Sequence, residues 1–204
     1  MTKNVLRRYV LEDLGFLEKR GPHHVPWFLL NDFARYWWTM AVDFAYKQRT
    51  RDRKGAAIRN IRLRMSRKLI YVSGLLTCFG CARRLDRFGP IASCAESNEG
   101  LEYVELLRTR LRTPLEVLSE ALLQFSHLDS AASELLSAYD SFIGILSDKE
   151  SRGRLEELNA DEYESDKLYR EARDVTHEFR EGLLALFFDE ASGLSELTRT
   201  YGVF

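Results

Sequence analysis

Between Ile58 and Leu76 the apolar residues Ile58, Ile61, Met65, Leu69, Val72 and Leu76 recur at steps of 3, 4, 4, 3 and 4. Such a seam stays on one side of a helix and cannot line one face of a strand, whose period is two. The rest of the chain follows the same rule. Its four prolines stand at 22, 26, 90 and 114, and no Asn-Gly or Asp-Gly pair or sustained two-residue alternation marks a hairpin. The expected fold class is therefore all-α, a multi-helix bundle of about seven or eight helices. Hydrophobic residues make up 45% of the chain, enough to fill the inside of such a bundle.

The punctuation sets the expected elements. A short helix over 4–19 ends at the Gly21–Pro26 turn. A second runs over 28–49 and a third over 56–79, separated by Gly55. After Gly89-Pro90, a helix over 100–112 stops at Thr113. The run Thr113-Pro114-Leu115-Glu116 then reads as a capping box with proline at the first helical position. Further helices are expected over 129–147, 162–188 and 192–200, with a polar connection or short helix over 148–160. In the long helix, Tyr163, Leu168, Ala172, Val175, Phe179, Leu183 and Leu186 are the candidate core, and its end, LLALFF, suits the centre of the bundle.

Charge divides the chain. Residues 1–90 carry 19 Lys and Arg against 7 acids, and residues 91–204 carry 11 against 24. The expected organisation is a basic helical half, 1–90, and an acidic helical bundle, 91–204, packed as a single domain. The basic excess peaks from Lys47 to Lys68, with ten cations and one acid, Asp52. Because the second half of this stretch carries the apolar seam, its cations are held on a folded helix. A fixed row of cations implies a polyanionic partner: nucleotide phosphates, a nucleic-acid strand or an acidic protein surface. The competing reading is that the two halves neutralise one another across their own contact.

Candidate phosphate-binding residues are Arg35, Lys47, Arg59, Arg62, Arg64, Arg67 and Lys68. On the preceding helix, Asp32–Arg35 and Asp43–Lys47 are neighbours at helical spacing. They either form surface ion pairs of about 0.2–0.5 kcal/mol or orient the cations toward a ligand. Trp38 and Tyr46, interleaved with these charges, can stack on a base or fill a core.

Other motifs carry less. Cys78-x-x-Cys81 lacks the second pair a zinc site needs and reads as small core residues. His23-His24 falls in a turn between prolines. There is no Gly-rich phosphate loop, Gly-x-Ser-x-Gly or His-Glu-x-x-His, so no catalytic or metal-ligating residues are expected. Arg170 and His177, spaced Arg-x6-His, loosely resemble the Arg and His of HEPN-type ribonucleases, which act on an RNA phosphodiester at a dimer seam. Three cysteines make no disulfide framework, and the N-terminal segment lacks the apolar core of a secretory signal. A cytoplasmic location and no membrane are the expectations.

The two segments VPWFLLNDFARYWWTMAVDFAYKQR and AAIRNIRLRMSRKLIYVSGLL resemble the helical region that follows the catalytic domain in bacterial DNA-polymerase-β-type nucleotidyltransferases. The matching positions are Asn31, Asp32, Arg35, Tyr36, Trp37, Thr39, Asp43, Lys47, Arg59, Asn60, Arg62, Leu63, Arg64, Ser66 and Arg67. That family's catalytic part lies upstream, with a Gly-Ser turn and paired aspartates that hold Mg²⁺ and a nucleoside triphosphate. This chain has no Gly-Ser dipeptide and no Asp-x-Asp. The resemblance thus implies a non-catalytic module with no cofactor of its own. Mg²⁺ and nucleotide would enter only with a catalytic domain or chain supplied as a partner, the chain being part of a split enzyme or a stand-alone subunit. Two further classes stay open: a protein-interaction or antitoxin-like regulatory subunit, able to form a homo-oligomer, and a HEPN-like ribonuclease.

Overall fold

The computed structural model describes residues 2–13, 25–50, 55–82, 99–159 and 163–202, and every regular element among them is helical. Helix α1, Thr2–Arg8, runs into a π turn over Tyr9–Asp13. Helix α2 spans Trp27–Thr50. Helix α3, Ala56–Arg62, passes through a second π turn, Leu63–Arg67, into α4, Lys68–Ala82. There follow α5, Glu99–Arg110, and α6, Pro114–Leu122. A 3-10 turn over Ser126–Leu128 leads into α7, Asp129–Ser147, then α8, Lys149–Glu157, α9, Lys167–Phe188, and α10, Leu194–Tyr201. The fold is an all-α, multi-helix bundle. No helix of the described residues is long and apolar enough to cross a membrane.

The helical contacts form two units, one of residues 1–33 and 72–119, the other of 34–71 and 120–204. In the first, Leu6 and Val10 of the N-terminal segment join Cys81, Val104 and Leu107 in a buried apolar cluster, with Leu29 and Leu111 at its edge. Cys78 and Cys81 are both buried and not joined to each other, and Cys81 Sγ donates to the Thr77 carbonyl at 3.3 Å. Burial, and then the neighbouring Cys81, push the Cys78 thiol well above its ordinary value. A thiol so held is a poor nucleophile and a poor metal ligand. The capping box forms: the Thr113 backbone N–H donates to Glu116 Oε2 at 2.9 Å, and the Glu116 N–H donates to Thr113 Oγ1 at 3.4 Å.

In the second unit α9 lies along α7, burying Tyr169, Ala172, Thr176, Phe179, Gly182, Leu183, Leu186 and Phe187. Of LLALFF, Leu183, Leu186 and Phe187 are buried and Phe188 is exposed. Leu168 and Val175, expected in the core, are only half-buried, and Tyr169 and Thr176 take their place. Each of these pairs is adjacent in sequence, about 100° apart on the helix, so the periodicity admits either seam. Thr176 fits inside because its hydroxyl donates to the Arg173 carbonyl at 2.7 Å.

The start of α9 is built by Asp166. Its carboxylate accepts from the Tyr169 backbone N–H at 3.0 Å and from Arg154 of α8 at 2.6 Å. Desolvation pushes this carboxyl up, but the Tyr169 N–H and the Arg154 guanidinium together outweigh it and hold it below its ordinary value. A carboxyl with a lowered folded value contributes stability above its unfolded value and loses that contribution as pH falls through the folded one. Asp166→Ala should therefore cost about 1–2 kcal/mol at neutral pH. Urea titrations repeated from pH 6 down to 3 should show a shallower loss of stability for the variant than for the wild type. Equal slopes would remove this carboxylate from the acid response.

Candidate phosphate-binding site

The basic helix turns out from Gly55. This residue has φ 67°, in the left-handed region, and a Cβ there would lie 3.3 Å from Arg59 Nη1 and 3.4 Å from the Glu156 carbonyl oxygen. Glycine is needed for the backbone conformation, while a Cβ would press only on the end of the Arg59 side chain. From it α3 packs against α8 and α9. Ala56, Ala57, Ile58, Ile61, Met65 and Leu69 are buried, as the seam requires.

The π turn is the element that sequence reasoning missed. The steps of the seam average 3.6 residues, as in an ordinary α-helix, so its spacing carries no signal for the π turn.

Among the described residues the cations differ in their surroundings. Arg59 is half-buried beside Gly55. Arg62 lies 3.8 Å from Glu156 of α8, with both side chains about half exposed (40% and 50%). Arg64 is exposed and Arg67 and Lys68 are half-buried, and none of the three has a carboxylate partner among the described residues. Burial, then Arg180 of α9, then Arg64, lower the Lys68 amine below the ordinary lysine value.

Helix α2 supplies the remaining candidates. Lys47 Nζ donates to Asp43 Oδ2 at 2.6 Å, so this pair forms as the spacing suggests. Asp32 and Arg35 are both exposed, and Arg35 has no carboxylate partner among the described residues. Trp38 and Tyr46 are exposed, at 56% and 63%, and Val42 between them is exposed too. The Trp37 ring stacks on Tyr71 of α4 with centroids 5.5 Å apart. Exposed aromatics beside cations are the components of a single-strand binding surface.

Other candidates are not drawn to this cluster. Arg170 and His177 both stand exposed on α9. His127 Nε2 lies 2.9 Å from Asp189 Oδ2, a pair 62 residues apart that the sequence did not reveal. Asp189 also accepts from the Ser192 N–H at 2.6 Å, which makes the pair a clasp on the turn after α9. Among the described residues no group of three or more His, Cys, Asp or Glu is placed to hold a metal ion. His23-His24 lie outside the described residues, as do Arg51, Arg53 and Lys54. No protein-family model, no curated protein and no solved structure matches this chain.

Proposed function

We propose that this chain is a non-catalytic accessory module of a nucleotidyltransferase-type system, binding nucleotide or nucleic-acid phosphates through its basic helix. The observation that carries this reading is that Arg64, Arg67 and Lys68, on a helix anchored by a buried seam, meet no carboxylate among the described residues. Mutual neutralisation of the two halves would have put carboxylates against them. Instead, among the described residues, Glu156 lies 3.8 Å from Arg62, and Arg180 acts on Lys68 as a like charge. The resemblance of the Asn31–Lys47 and Arg59–Arg67 segments to the nucleotidyltransferase helical region supplies the proposed system, in which a partner would bring the catalytic aspartates, Mg²⁺ and the nucleoside triphosphate.

Binding of a fluorescent single-stranded decanucleotide tests the reading. Arg62→Ala with Arg67→Ala should weaken it about 100-fold, as two charge-assisted contacts of about 1.5 kcal/mol each imply. The slope of affinity against salt should fall by about two. Folding should survive, because the half-exposed Arg62–Glu156 contact is worth at most about 1 kcal/mol. Unchanged binding in the double variant would reject the assignment. A wild-type affinity insensitive to salt would favour the protein-interaction reading, which the exposed Trp38, Val42 and Tyr46 support independently.

A further inference from the structure

Residues 34–50 of α2 carry an exposed stripe. Arg35, Trp38, Val42, Tyr46 and Arg49 step by 3, 4, 4 and 3, so they fall on one side of the helix, and all five are exposed. Trp37, stacked on Tyr71, marks the inward side, and Val42 lies about 140° round the helix from it. A row of large apolar groups turned to water marks a docking face. The stripe holds two arginines and no acid, since Asp43 stands off it and is held by Lys47 at 2.6 Å. Helix α7 repeats the spacing with the opposite charge. Asp129, Ala132, Leu136, Asp140 and Ile143 also step by 3, 4, 4 and 3, and all but the half-buried Ala132 are exposed. Asp140 lies about 160° round α7 from the buried Phe142. The helix contains Asp129, Glu134 and Asp140 and no Lys or Arg. Neither Asp129 nor Asp140 has a cationic partner among the described residues. Both stripes belong to the unit of residues 34–71 and 120–204, and their exposure means that neither covers the other within one chain.

We propose that the α2 stripe of one copy docks on the α7 stripe of a second copy, so that the chain self-associates through a heterologous contact. Equal spacing makes the two rows equally long, about 21 Å each, so one can lie along the other. Trp38, Tyr46 and the two arginines are of the residue types that most often carry binding energy, and Leu136 and Ile143 give them an apolar surface to cover. Charge selects this pairing over the symmetric ones. Two α2 stripes would set arginines against arginines, and two α7 stripes aspartates against aspartates. One helix face on another buries less than the about 1,200 Å² of a stable interface, so the contact is weak, with a Kd of about 10 µM. The inference is independent of phosphate binding by the basic helix. It assigns Trp38 and Tyr46 to a protein surface and leaves the phosphates to Arg59, Arg62, Arg64, Arg67 and Lys68.

Sedimentation equilibrium of the full chain, from about 1 to about 100 µM, tests the contact. The wild type should rise from the monomer mass to at least about twice it, and raising the salt about tenfold should weaken association about fivefold. Val42→Glu and Ile143→Arg should each remain monomeric over that range. Mixed in equal amounts they should form a one-to-one pair, because the first keeps an intact α7 stripe and the second an intact α2 stripe. Circular dichroism checks that each variant is folded. Asp140→Arg, at a fully solvated position of the same stripe, should behave as Ile143→Arg does and replaces it if that variant unfolds. Self-association surviving in either variant would overturn the proposal, since the contact would then be α2 on α2, α7 on α7 or elsewhere. A mixture that fails to pair would overturn it too, as would association indifferent to salt. A monomeric wild type that still binds the decanucleotide would overturn the contact and leave the phosphate reading standing. Loss of that binding in Val42→Glu would then give the α2 stripe to a nucleic-acid strand.

Discussion

Phe179→Ala should destabilise the unit formed by α7 and α9 by about 3–5 kcal/mol. Phe179 is fully buried on α9, and its ring centroid lies 5.8 Å from that of Tyr139, which in turn lies 5.6 Å from Phe142. Truncation removes a ring from the middle of this cluster and leaves a cavity, which the surrounding helices close only in part. With a urea dependence of about 2 kcal/mol per molar, the unfolding midpoint should fall by about 2 M. Ile143, on the same helix as Tyr139 but 42% exposed, provides the contrast. Ile143→Ala should cost less than about 1 kcal/mol. Equal losses for the two variants would contradict the packing of α7 on α9.

Gly182→Val should cost about 3 kcal/mol for the opposite reason, too much volume rather than too little. A Cβ at position 182 would lie 2.6 Å from Leu135 Cβ and 2.9 Å from Leu135 Cδ1, and Leu135 is fully buried. The nearest atom is a Cβ, which no change of rotamer moves, so α7 and α9 must separate. Gly182→Ala meets the same contact but gains about 1 kcal/mol of helix propensity, so its net loss should be smaller. Thermal unfolding followed by circular dichroism at 222 nm checks the order. A valine variant as stable as the wild type would mean that the helices do not approach closely at this point.

These two positions were not equally legible. Phe179 stood in the expected seam of the long helix, because its place follows from local periodicity. Gly182 showed nothing in the sequence beyond an unfavourable residue inside a helix, because its purpose is the proximity of Leu135, 47 positions away. The basic helix divides the same way. Its seam, its cations and the capping box at Thr113 were all readable from spacing. The π turn was not, because the seam's steps average the 3.6 residues of an ordinary α-helix.

The candidate site was legible as a list of cations and not as an arrangement. Arg59, Arg62, Arg64, Arg67 and Lys68 are marked by their density, and Trp38 and Tyr46 by their place among charges. Nothing local says that Arg62 meets Glu156, since that partner lies 94 residues further along the chain. Helix formation depends on neighbours three and four residues apart, so this sequence by itself determines an all-α chain with a cationic helix in its first half. Which of those cations are neutralised and which stay available depends on how α8 and α9 pack against that helix. Coulomb energy depends on distance in space, and folding alone brings such distant residues together.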